Sequence, residues 1–161
     1  WTVVEHDVVG PRTSMNLRAA GWAEIAVMRS SVIEIDERGD HVVAPNGAEA
    51  WAVVDDDVVT VRVNAGRVLD EVVLRSYVIG AAHMGLGWVR SEGLALGVDG
   101  VPLDLTIRSF GVLRAVDTPR IEVTVVDDDR DPVNGSDAVF AAVAAAAWRH
   151  AGHPTRWPAF R

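Results

Sequence analysis

Hydrophobic positions in this chain cluster into apolar blocks separated by short acidic or glycine–proline breaks. Residues 2–9 (TVVEHDVV) are rich in β-branched types and read as a strand, ended by Gly10-Pro11. Thr13, Ser14 and Asn16 offer N-caps for a helix over 18–34, with Ala20, Ala23, Ile25, Ala26, Met28, Val32 and Ile33 as its buried side. A polar turn at 36–41 and the Pro45-Asn46-Gly47 signal follow. Valine-rich strands at 51–54 and 58–64 flank Asp55, Asp56 and Asp57, and a further strand, IEVTVV, occupies 121–126. Residues 103–113 read as extended or mixed, and Asp117-Thr118-Pro119 breaks the chain before that strand. A loop at 130–136 leads to an alanine-rich helix, 138–150, capped by Ser136 or Asp137 and stopped at Gly152. The tail carries two prolines and should lie extended along the body. Five strands and three helices, not strictly alternating, predict one compact α+β domain over 1–161.

The longest apolar block, 65–92 (AGRVLDEVVLRSYVIGAAHMGLGWVRSE), organises the rest. It reads as a polar turn followed by one long helix holding Gly80, Gly85 and Gly87. Glycine inside a helix costs about 1 kcal/mol relative to alanine, so three in eight residues need a reason. Either the helix breaks near Gly85, or the bare positions admit another backbone or a flat ligand. Val72, Val73, Tyr77, Val78, Ala81, Ala82 and Leu86 keep a helical period across the glycines, which favours close approach. The three glycines are expected to form one ridge.

Composition narrows the function classes. A hydrophobic content of 49% supports a real core. Net charge is −8 with no basic block, which argues against a nucleic-acid surface and a polybasic membrane contact. There is no cysteine, so disulfides, iron–sulfur clusters and thiolate zinc sites are excluded. No apolar run reaches about 18 residues without a charge, so no membrane span is expected; no signal peptide is visible, and a cytoplasmic setting is the default expectation. The chain begins at Trp1 and not at Met, as a trimmed or excised product would.

Each chemical candidate has a plain structural reading beside it. The runs Asp55–Asp57 and Asp127–Asp129 lack the alternating ligands and central glycine of a calcium loop and read as acidic turns. His83 reads as a core histidine with one hydrogen-bond partner. His150 and His153 have a loose metal-like spacing without an obvious third ligand, and straddle a helix end where histidine meets the dipole favourably. Asn134-Gly135-Ser136-Asp137 is an N-cap that also suits anion binding or acid–base work. Walker, Rossmann and nucleophile-elbow signatures are missing.

Read whole, the 65–92 block resembles the molybdenum-cofactor-binding subunit of the xanthine dehydrogenase / aldehyde oxidase family, the molybdenum hydroxylases. That family has a GRV-[IL]-[ND]-P turn and a helix of the form EGQ-x-x-GG-x-x-QGLG. Gly66, Arg67, Val68, Leu69 and Asp70 match the turn, and Gly80, Gly85, Leu86 and Gly87 match the helix without a gap. TIRSFGVLRAVDTP followed by IEVTVV is similar to the family's DY-x-[IL]-PTA-x-D-x-P-x-I-E-V stretch. NGSDAVFAAVAAAAWRHAGHPTRWP is similar to its C-terminal GxGE-P segment, helix and tail. The likeness is clear over 64–160 and weak over 1–45, where Arg18, Gly21 and Glu34 carry it.

The resemblance implies a mixed sheet with about three packed helices, part of the fold that binds a molybdopterin-type cofactor. It implies cofactor contacts at Gly80, Ala81, Met84, Gly85 and Ser136, and a base at Asp137. The departures are substantial. Tyr77 and Met84 stand where the family has glutamines, Ala81 replaces a glycine, and Asp137 replaces a glutamate one methylene longer. A base misplaced by about 1 Å can lose on the order of 100-fold. Family subunits are several times longer than 161 residues, so cofactor binding is expected only with a partner chain. Two functions follow: a small subunit- or fragment-like relative of such an oxidoreductase, not catalytic alone, joined to a larger cofactor-binding subunit; or a non-catalytic binding or assembly module, such as a homo-oligomer, that has lost the cofactor.

Overall fold

A computed structural model describes residues 21–103 and 106–159. The expected strand at 2–9 and the caps at Thr13, Ser14 and Asn16 lie outside these residues, as does Arg18. The elements are α1 (Trp22–Ser30), β1 (Asp40–Val43), β2 (Glu49–Val54), β3 (Val58–Asn64), α2 (Glu71–Arg90), α3 (Ile107–Phe110), β4 (Arg120–Val126) and α4 (Ser136–His150).

The four strands form one mixed sheet in the order β1-β2-β3-β4. The first two pairings are antiparallel and the β3–β4 pairing is parallel. A parallel neighbour requires a long crossover, and α2 with the segment after it supplies one. Register brings the inward residues into rows: Ala50 faces Val63, Ala52 faces Val61 and Val54 faces Val59. β4 continues those rows with Val125, Val123 and Ile121.

The inward face is covered by α4 and α2, which pack against each other. From Ala138 to Ala147 nearly every residue of α4 is buried. A helix apolar all round belongs inside, and alanine lets both the sheet and α2 come close. α1 packs against α4 and β1, burying Ala23, Val27 and Ser30, one helical stripe.

That stripe differs from the expected one: Ile25, Met28, Val32 and Ile33 are exposed. The helix also ends at Ser30, short of 34. Ser30 Oγ donates to Val27 O (2.6 Å) and Ser31 Oγ to Met28 O (2.8 Å), offering the last turn side-chain bonds in place of further helix. The polar turn expected at 36–41 is tighter, because β1 begins at Asp40. Asp55–Asp57 is the turn of the β2–β3 hairpin, closed by Asp55 N donating to Val58 O (2.9 Å).

Asp40 is only 3% exposed, and its carboxylate accepts from Arg149 Nε and Nη2, both at 3.0 Å. Arg149 also donates to the Ser30 and Ile33 carbonyls, so one guanidinium ties α4 to β1 and to the end of α1. The tail lies against α2: Ala159 N donates to Val89 O (2.7 Å) and Trp157 Nε1 to Trp88 O (2.8 Å).

Candidate functional site on the glycine helix

α2 begins where the sequence places a turn. Asp70 caps it, accepting from Val73 N at 3.1 Å, and Arg75 bridges to Glu71 one turn on (2.7 Å). Gly66 has φ +77°, a left-handed conformation that disfavours side chains. The turn is held by the second acidic run. Val68 N donates to Asp127 Oδ1 (2.8 Å), and Asn64 binds both Gly66 N and Asp128. Arg75 Nη1 donates to Val123 O (2.6 Å), fixing the helix to β4.

The helix does not break at its glycines; it runs unbroken from Glu71 to Arg90. At 20 residues it is long and apolar enough by composition to cross a bilayer, despite Arg75 and His83. Here it is placed as a core helix, with Val78, Ala81, Ala82, Gly85, Leu86 and Val89 inward.

The expected single ridge resolves into separate contacts. At 3.6 residues per turn, Gly80 and Gly87 lie within about 20° of each other, and Gly85 lies about 140° from Gly80. A Cβ on Gly85 would fall 2.7 Å from Phe140 O and 3.3 Å from Ala144 N, so this glycine exists to seat α4. Gly87 is buried beneath Glu92 and Leu113 of the returning chain. Gly80 is exposed, with nothing within 4 Å of where a Cβ would sit.

The remaining candidates divide in the same way. Ala81 is 1% exposed on the inward stripe, whereas Met84 lies on the outer side with Gly80. Ser136 and Asp137 occupy the first turn of α4 and are half-buried. Neither is the cap: that position is Gly135, which sits against Val63 and Ala65. The local bond is instead Ser136 N to Asn134 Oδ1 (2.8 Å), while Asn46 Nδ2 donates to Asn134 O (2.8 Å) and fixes the loop to the first hairpin. No hydrogen bond or ion pair to the Asp137 carboxylate occurs among the described residues, and none joins Asp137 to α2. Gly80 and Met84 thus form one feature, Ser136 and Asp137 a second, Gly85 seats α4, and Ala81 is buried on the inward stripe of α2.

Beside Gly80 an open groove is lined by Ile79, His83, Pro119 and Ile121, with Thr118 at its wall. His83 Nδ1 is 3.0 Å from Thr118 Oγ1. The sequence anticipates a histidine with one partner but not which one, since 35 residues separate the two. His150 pairs with Asp56 at 3.0 Å, and His153 packs edge-on against Trp148. No group of three or more His, Asp or Glu able to hold a metal occurs among the described residues.

No known family model and no curated protein matches the sequence. Among solved structures, the fold is similar to that of the Cu,Mo-CO dehydrogenase in its carbon-monoxide-reduced state. The TM-score is 0.52 at 14% identity, over 70% of this chain and 17% of that one. Quinoline 2-oxidoreductase from Pseudomonas putida 86 gives a TM-score of 0.49 at 14% identity, over 66% of this chain and 16% of that one. The chain has an α+β fold similar to one segment of the Cu,Mo-CO dehydrogenase, and covers only 16–17% of the length of these two proteins. At this identity the likeness concerns the fold alone.

Proposed function

We propose that this chain is a molybdenum-hydroxylase-like unit, not catalytic on its own, that works within an assembly completed by a larger partner chain. The observation that carries the reading is the outer face of α2. Val72, Val73, Tyr77 and Met84 are exposed at 78%, 48%, 63% and 44%, around bare Gly80, on a helix whose opposite stripe is packed. Exposed apolar side chains gathered on one side of a helix, interrupted only by Ser76, support an interaction surface there. The small share of its structural neighbours that this fold represents supports a partner that is the larger body.

A molybdopterin-type cofactor does not fit this chain by itself. Gly85 is committed to the helix contact and Ala81 is buried, and Gly80 and Met84 lie on an open face that does not enclose a ligand of that size. On this reading Gly80 and Met84 present that face to the partner, Gly85 sets how closely α2 sits on α4, and Ala81 stays in the core. Ser136 and Asp137 are the polar contribution, with the Asp137 carboxylate as the candidate base.

The second reading is a non-catalytic binding or assembly module. It is favoured by Tyr77 and Met84 themselves, which make the outer face apolar where the resembled family has glutamines. Native purification from the source cells, followed by size-exclusion chromatography, tests the first reading. Co-elution with a larger chain, lost in Tyr77→Glu, is expected. Elution as a lone chain or a homodimer overturns it and leaves the module.

A further inference from the structure

The groove beside Gly80 contains a histidine whose tautomer the surrounding bonds determine. Thr118 has one hydroxyl proton, and its Oγ1 donates to Arg114 O at 3.0 Å. The same oxygen lies 3.0 Å from His83 Nδ1 and can then only accept, so Nδ1 carries the proton. In the neutral ring the lone pair is therefore on Nε2. That nitrogen has no partner among the described residues and is not sealed from solvent.

Apart from His83 and Thr118, the groove is lined by the apolar residues Ile79, Ala115, Pro119 and Ile121 and by the bare backbone of Gly80. Nothing lies within 4 Å of a Cβ position on Gly80, so a ring can rest where other residues would project a side chain. We propose that this groove binds a flat, mostly apolar molecule carrying one hydrogen-bond donor, of which phenol is the simplest, with its O–H donating to His83 Nε2. The apolar walls supply contact area, and the single acceptor supplies orientation, the usual division in small-molecule sites. A molecule without a donor leaves Nε2 unmatched and loses the directional part of the binding. The inference shares the bare face of Gly80 with the partner reading, but its test needs only this chain, so the failure of either can be told from the failure of the other.

The test is nitrogen-15 and carbon-13 NMR of the histidine rings in the full chain at neutral pH. In the free protein Nδ1 of His83 is expected as the protonated nitrogen. Phenol should shift His83 Nε2 and the Ile79 and Ile121 methyls saturably, whereas toluene should leave Nε2 unmoved. Gly80→Leu, which keeps a good helix former and fills the floor, should weaken phenol binding by at least about tenfold. His83→Phe should abolish the preference for phenol over toluene. Finding Nδ1 unprotonated, no saturable shift with phenol, or phenol binding unchanged in folded Gly80→Leu overturns the proposal.

Discussion

The backbone of Gly85 lies against the carbonyl of Phe140, so close that a Cβ there would fall 2.7 Å from the oxygen. This contact sets the spacing of α2 and α4, the two helices over the sheet. Gly85→Ala must therefore push backbone apart, and overpacking of this kind costs about 1–3 kcal/mol, exceeding the propensity gain. Gly80→Ala meets nothing within 4 Å and should gain up to about 1 kcal/mol from helix propensity. Paired urea denaturation of the two variants checks both signs.

Asp40 and Arg149 form the bond that closes the other side of the fold. Asp40 is buried and Arg149 is its cationic partner, so Arg149→Met leaves an uncompensated carboxylate inside. Loss of one member of a buried pair costs about 3 kcal/mol or more. Replacing both, as Asp40→Leu with Arg149→Met, should recover much of that loss. Equilibrium unfolding of the single and double variants measures it.

Acid should weaken the chain through Asp128. The Asn64 amide, then the Arg130 backbone N–H, hold its carboxyl below the ordinary value of 3.8, against a smaller opposing effect of burial. A pKa depressed on folding adds stability that is present above the unfolded value and is lost as pH falls through the folded one. Stability should therefore drop as pH passes below 3.8, and Asp128→Asn should flatten that part of the profile. Circular-dichroism melting across the acid range shows it.

Much of the fold was legible because its elements carry strong local signals. The β3 bounds, the Asp55–Asp57 turn and the unbroken period through Gly80 and Gly85 follow from pattern alone. The division of the glycines between different contacts did not, since it depends on where α4 and residues 92 and 113 come to lie. The buried face of α1 is not legible in the sequence, because its apolar residues outnumber those the fold buries, and only packing on α4 selects Ala23 and Val27. Asp40–Arg149 and His83–Thr118 join residues 109 and 35 apart, a range at which a sequence leaves no local mark.

Asp137 lies in the first turn of α4 without capping it. Asp137→Ala therefore removes only a favourable charge at the helix N-terminus, about 0.3–1 kcal/mol. A melting temperature nearly unchanged, together with turnover lost in the complete assembly, is the expected result if this carboxylate is the base. Turnover retained excludes it from that role.

We propose that this unit works within a molybdenum-containing assembly and does not hold the cofactor alone. The decisive measurement is molybdenum content by inductively coupled plasma mass spectrometry, on the natively purified complex and on the isolated chain. Stoichiometric molybdenum is expected in the complex and none in the chain alone. A complex free of molybdenum, or an isolated chain that carries it, rules the proposal out.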